Sequence, residues 1–229
     1  MRESEYLKEL YANRFSEEKA LKEKNKIWQV LCQHFFQKYI PNSNTARVAD
    51  VAAGYCEFIN NIEADEKYAV DLNPDTGKFA NNDVKVVQGT AADLLLAVGN
   101  GSGEGYFDIV FMSNFLEHLE NKEAVQSVVK QARELLKDGG RLLILQPNIK
   151  YVKGQYWDFF DHKIPLTESA LLELGEMLQF KSKVCIKRFL PYTTKSGLPK
   201  GPLIIWLYLM LMPISGVFFG SQSFLVLEK

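Results

Sequence analysis

Cysteine is scarce in this chain, and the three present, Cys32, Cys56 and Cys185, form no C-x-x-C pair. An odd number at wide spacing argues against a disulfide framework and a thiolate zinc site, and fits a reducing, cytoplasmic compartment. Histidine is equally rare. His34, His118 and His162 show no ligand spacing along the sequence, so no metal site is expected. No sign of charge dominates either. Lys and Arg number 27 against 28 Asp and Glu, a formal net charge of −1, which leaves no whole-molecule field to draw in nucleic acid. The opening Met1-Arg2-Glu3-Ser4-Glu5 is charged and lacks the apolar core of a secretory leader, so none is expected.

One absence is local. From Met177 to Leu227 there is no acidic residue, while Lys181, Lys183, Lys187, Arg188, Lys195 and Lys200 lie in that stretch. Within it, Leu203 to Met212 are ten consecutive apolar residues, stopped by Pro213. That is half of the about 20 residues needed to span a bilayer. Two readings stay open: a buried helix of a substrate cap, or a membrane-interface element over 203–219, which would place a cytoplasmic protein peripherally at the inner membrane face.

What is present suits one α/β domain: 229 residues, 47% of them hydrophobic and 24% charged. Tyr6, Leu10, Phe15, Leu21, Ile27, Trp28, Leu31, Phe35 and Phe36 recur at helical spacing, predicting helix over about 4–40, in two pieces, until Pro41-Asn42-Ser43-Asn44 breaks it. Strands then alternate with helices. Apolar runs predict strands at 46–51, 67–71, 84–88, 107–112 and 141–145. A short helix is expected from Phe58 and another over 121–136, ended by Lys137-Asp138-Gly139-Gly140. Thr167 is placed to cap a helix over 168–178, and strands are expected at 183–186 and 223–227. Such alternation implies a largely parallel sheet covered on both faces, with its ligand beyond the carboxyl ends of the strands.

The residues just past each strand therefore matter most. Asp50-Val51-Ala52-Ala53-Gly54-Tyr55-Cys56-Glu57 follows the first, and Asp71 closes the second, 17 residues beyond Gly54. Gln88-Gly89-Thr90-Ala91-Ala92-Asp93 follows the third, where Asp93 reads as a helix cap. Met112-Ser113-Asn114-Phe115-Leu116-Glu117-His118-Leu119 follows the fourth, and Gln146-Pro147-Asn148 ends the fifth.

In this order the segments resemble the class I S-adenosylmethionine-dependent methyltransferases, well over 46–148 and more loosely beyond. The resemblance implies a Rossmann-like, doubly wound, seven-stranded mixed sheet of five parallel strands and a C-terminal antiparallel pair. It divides a single domain into an N-terminal helical lid (1–41), a cofactor-binding core (42–148), substrate-cap elements (149–222) and a final strand (223–229). S-adenosylmethionine is the implied cofactor. The positions that match its binding residues are Asp50, Ala52, Ala53, Gly54, Tyr55, Asp71, Leu72, Thr90, Ala91, Ser113 and Asn114. Tyr11 and Arg14 resemble the Y-x-x-R-F lid of relatives, with Arg14 facing the donor's carboxylate. Asp71 would accept the two ribose hydroxyls. The pattern departs from G-x-G-x-G at Ala52 and Cys56, which also supports a non-catalytic scaffold reading. A nicotinamide oxidoreductase is disfavoured, because its third glycine would fall at Glu57.

On the acceptor side, the aromatic segment Trp157-Asp158-Phe159-Phe160-Asp161-His162-Lys163 offers His162 as a proton acceptor oriented by Asp161, with His118 a further candidate base. Each also reads as a packing residue. The aromatic loop and Phe189-Leu190-Pro191-Tyr192-Thr193 resemble methyltransferases of glycan assembly. This implies a small-molecule or sugar acceptor, carried on a lipid in one version, and transfer to oxygen.

Overall fold

The computed structural model describes residues 18–98, 104–191 and 201–229. Tyr11 and Arg14, the first part of the expected lid, and Thr193 lie outside these residues. One seven-stranded sheet runs in the order β3-β2-β1-β4-β5-β7-β6. Its strands are β1 (Arg47–Val51), β2 (Glu66–Asp71), β3 (Val84–Gln88), β4 (Phe107–Ser113), β5 (Leu136–Pro147), β6 (Lys181–Ile186) and β7 (Gln222–Glu228). β1 to β5 pair in parallel, β7 enters antiparallel beside β5, and β6 pairs antiparallel with β7. The expected mixed sheet is the observed one. The order reverses between β1 and β4, which puts the switch point where the loops after β1 and β4 leave the sheet.

The helices are α1 (Glu18–His34), α2 (Thr76–Phe79), α3 (Ala91–Ala97), α4 (Lys122–Leu135), α5 (Ile149–Val152), α6 (Glu168–Met177), α7 (Pro202–Met210) and α8 (Met212–Phe219). Strand residues alternate between two cores. Val110, Met112, Leu142, Ile144, Leu225 and Leu227 face α3, α4 and α6. Ile109, Phe111, Leu143, Leu145, Phe224 and Val226 face α1 and the stretch after it. The second core is aromatic. Phe35 stacks on Phe189 at 4.2 Å and Phe58 on Phe111 at 3.8 Å, which clamps the end of α1 to the sheet. Asn121 caps α4 and Thr167 caps α6, each side chain accepting a backbone N–H three residues on.

Four expectations change. No regular helix forms after β1; residues 57–61 are turns. Asparagines account for this. Asn61 Nδ2 bonds the Glu57 carbonyl at 2.8 Å and Asn60 Nδ2 bonds the Phe79 carbonyl at 2.7 Å, contacts that compete with a helical ladder. The fifth strand begins at Leu136, not Arg141, because the chain past Leu135 pairs at once with Phe107. The stretch assigned wholly to a substrate cap contains α6 and β6, which belong to the sheet and its cover.

The fourth change concerns 203–219, which is not buried. α7 buries no residue fully, and only Ile205 and Leu209 reach the aromatic core. Leu203, Leu207, Met210, Ile214, Val217 and Phe218 are all exposed. A helix apolar on every side has more apolar surface than one contact covers, and the remainder faces outward. Among the described residues, no helix is long and apolar enough to cross a membrane.

An ionic cluster ties the sheet together at the start of β2. Glu66 pairs with Arg47 at 2.8 Å and Lys85 at 2.7 Å, and accepts from the Tyr68 and Tyr106 hydroxyls at 3.1 and 3.0 Å. Burial works against its charge, but the bonds from Lys85, Tyr106 and Tyr68 outweigh it and hold the carboxyl at about 2. A depressed folded pKa gives stability that is complete above the ordinary 4.5 and is lost as pH falls from there through about 2. Glu66→Gln should therefore lower the unfolding free energy at pH 7 by about 1–2 kcal/mol. It should also flatten the loss of stability below pH 4.5, as checked by urea titrations across that range.

Candidate active site

The site grows from the loop after β1. Three alternate residues there take left-handed backbone angles: Ala52 at φ 60°, Gly54 at 54° and Cys56 at 61°. Only Gly54 adopts this without steric cost; each L residue in that region costs about 1–2 kcal/mol. Bonds to neighbouring elements hold the loop. Ala53 N–H donates to the Val70 carbonyl at 3.1 Å, and the Thr76 hydroxyl donates to the Gly54 carbonyl at 2.9 Å. Cys56 is fully buried with its thiol 3.8 Å from the Thr76 carbonyl, so its side chain fills the core beneath the loop. Burial, then the charges of Asp50, Glu57 and Asp71, push that thiol's pKa up.

Asp71 ends β2 and reaches back to this loop. Its Oδ2 accepts the Gly54 N–H and its Oδ1 the Asn73 N–H, both at 2.7 Å. Burial raises its pKa, opposed by the backbone N–H groups of Asn73, Gly54 and Leu72. A carboxylate offers about four acceptor positions, so two backbone bonds leave room for a pair of ligand hydroxyls. Asn73 joins it. It is 2% exposed, and its Nδ2 has no partner among the described residues. A buried unpaired amide beside an acidic strand end fits a polar ligand. Sequence reasoning passed over Asn73; the signal was Asp71-Leu72-Asn73-Pro74, a turn-forming run directly after a strand.

Asp50 lies deeper, 3% exposed. Burial, Glu57 and Asp71 raise its pKa, and the Ile59 N–H bonds it, which ties it to the irregular connection after β1. Tyr55 stacks on Phe79 at 4.1 Å. After β3, Asp93 Oδ2 accepts the N–H and hydroxyl of Thr90 at 2.7 and 2.8 Å, the expected capping role, while Ala91 is buried. After β4, Asn114 is exposed with φ 48° and its amide bonds the Ser113 hydroxyl at 3.0 Å. A strained, exposed polar residue at a switch point is typical of a functional site.

Beside Asn114 lies a cluster that the sequence did not place together. Leu116–His118 forms a 3-10 turn, and the Glu117 carbonyl accepts the N–H groups of Lys163 and Ile164 at 2.8 and 3.1 Å. That staples the aromatic loop against the turn. His162 then packs 4.9 Å from the His118 ring and stacks on Phe159 at 5.1 Å. Asp161, expected to orient His162, holds His118: Nδ1 of that ring lies 3.1 Å from both its Oδ2 and its carbonyl oxygen. Burial opposes a charge on His118, but Asp161 and Glu117 outweigh it and its pKa rises. Burial also raises Glu117, with the His118 charge opposing.

A family profile described as a methyltransferase domain matches residues 49–142, from β1 into β5. The matched span holds the ends of β1 to β4, while the end of β5, Asp161 and His162 lie beyond it. The fold is that of the S-adenosylmethionine-dependent methyltransferases. One from Archaeoglobus fulgidus matches with a TM-score of 0.65 and 22% identity, over 96% of this chain and 98% of that one. One from Thermotoga maritima, described as a possible histamine N-methyltransferase, matches with a TM-score of 0.65 and 16% identity, over 96% and 98%. An O-methyltransferase family protein from Burkholderia thailandensis matches with a TM-score of 0.52 and 17% identity, over 82% of this chain and 52% of that one. No curated protein matches the sequence.

The left-handed alanine gives a direct test of the loop after β1. Ala52→Gly should raise the unfolding free energy by about 1 kcal/mol, since relief of strain exceeds the added chain entropy of glycine. Denaturant titration measures it, and a loss of stability would mean that the Ala52 methyl packs usefully.

Proposed function

We propose that this methyltransferase uses S-adenosylmethionine to methylate an oxygen of a small sugar-type acceptor presented at a membrane surface. The observation that carries the donor half is the carboxylate of Asp71, braced by Gly54 and Asn73 and with acceptor positions to spare. Asp71 would take the ribose hydroxyls, and the unpaired Asn73 amide supplies a donor beside it. The loop 52–56 approaches the amino-acid end, Thr90 and Ala91 lie on the adenine side, and Ser113 and Asn114 face the reacting carbon. Bound S-adenosylmethionine supplies a methyl group that an acceptor lone pair can take, the C–S electron pair returning to sulfur. The chain's part is to hold donor and acceptor in line and keep water out. His162, His118 and Asp161 are where an acceptor hydroxyl is activated.

The acceptor half rests on α7 and α8. Their outward apolar side chains lie in a sequence stretch, Met177 to Leu227, that has lysines and an arginine and no acidic residue. Apolar and basic surface together suit an anionic lipid interface. Tyr208 on α7 donates to the Phe189 carbonyl, which couples this surface to the aromatic core of the domain.

Sedimentation with phosphatidylglycerol vesicles tests the surface. The wild type should pellet with the vesicles, and Leu207→Glu/Phe218→Glu should stay behind with an unchanged circular dichroism spectrum. A wild type that remains in the supernatant contradicts the membrane half. Methyl-labelled donor incubated with detergent-solubilised lipid-linked sugars tests the acceptor: label should enter the sugar, and label only in nitrogen-containing products would contradict O-methylation.

A further inference from the structure

We propose that Glu117, His118 and His162 form a binding site for a single divalent transition ion of the Zn2+ or Mn2+ class. One ligand atom from each lies within 4.8 Å of the other two. Two ligands about 2.1 Å from a shared ion stand at most about 4.2 Å apart, so a small inward shift closes the set. The sequence spacing gave no hint of it; the stapling of the aromatic loop to the Glu117 backbone creates it.

Three features point to a cation there. Glu117 is 1% exposed, and its Oε2 makes no hydrogen bond of ordinary geometry among the described residues, the Gln146 side chain giving it only partial support. A carboxylate oxygen taken out of water calls for compensation, which a cation supplies. His118 is oriented as a ligand: its Nδ1 lies 3.1 Å from two acceptors of Asp161, the Oδ2 and the carbonyl oxygen, so Nδ1 carries the proton. In the neutral ring Nε2 then carries the lone pair that an ion would take in place of a proton, and it lies 3.9 Å from Glu117 Oε1, too far for a hydrogen bond and suited to two ligands of one ion. A carboxylate behind an imidazole is the usual arrangement that fixes a metal-binding histidine. Finally, His162 is held in place by the rings of Phe159 and Tyr156, so it approaches from a fixed direction. Two imidazoles and one carboxylate favour zinc or manganese over calcium or magnesium, which prefer all-oxygen sets.

Three protein ligands leave a coordination position open. If the methyl-transfer reading holds, that position takes the acceptor hydroxyl. An ion held there would lower the hydroxyl's pKa, so that the proton is lost to solvent as the acceptor enters and an oxygen lone pair is free for the methyl carbon. Asp161 is then a positioning residue, acting through His118.

The test is a titration of the chelator-treated full chain with Zn2+ by calorimetry, and with Co2+ by visible absorption. The wild type should show a single site. His162→Gln and Glu117→Gln should each weaken it by about tenfold or more, while His34→Gln leaves it unchanged. Absence of binding by a wild type with a cooperative thermal transition overturns the site. So does unaltered binding by a His162→Gln variant that keeps a cooperative thermal transition; its ring contacts, to His118, Tyr156 and Phe159, all lie outside the sheet. No donor or acceptor enters this titration. Metal binding without affinity for S-adenosylhomocysteine would end the methyl-transfer reading and leave the metal site standing; the reverse result would end the metal site alone.

Discussion

The carboxylate of Asp71 is the contact on which the site depends. Its two oxygens accept the Gly54 and Asn73 N–H groups, and its carbonyl accepts the Gly89 N–H at 2.9 Å. One residue thus joins the ends of β1, β2 and β3. Magnitudes explain why the loop after β1 tolerates left-handed Ala52 and Cys56. Each costs about 1–2 kcal/mol, and a hydrogen bond to a charged group contributes about 1.5–3 kcal/mol. One such bond, from the Gly54 N–H to Asp71, with the Thr76 bond to the Gly54 carbonyl and the Ala53 bond to Val70, offsets the strain without glycine at the outer positions.

The opposite half of the site has its own brace. Glu117 lends its carbonyl to the aromatic loop and its buried side chain to the His118–His162 group. The two halves meet at Ser113 and Asn114, on the neighbouring strand to β1. Behind them, the stacked rings of Phe35, Phe36, Phe58, Phe111, Phe189 and Phe224 fix the sheet rigidly, so polar residues at the strand ends are held by a packed base.

Much of this was legible in the sequence, for local reasons. Apolar runs bounded by turn residues mark the strands, and Asp71 stands out because it ends one of them within a fixed distance of Gly54. Asp93 and Thr167 are capping residues that their own neighbours explain. What was not legible depends on the path of loops. His118 and His162 are brought together by backbone bonds from Lys163 and Ile164 to Glu117, which no local pattern encodes. Asp161 pairs with His118 for the same reason. The missing helix after β1 follows from side-chain bonds of Asn60 and Asn61 to distant partners. The exposure of α7 and α8 could not be read from an apolar run, because hydrophobic sequence states a preference for leaving water and not what covers it.

The central claim is that the end of β2 holds the donor nucleoside. Calorimetric titration of S-adenosylhomocysteine into the wild type and Asp71→Asn tests it most directly, since asparagine retains an acceptor for one of the loop N–H groups. The account predicts micromolar binding by the wild type and a loss of about thirtyfold in the variant, the value of one charge-assisted bond of about 2 kcal/mol. A folded wild type that does not bind, or a variant that binds as well, would contradict it.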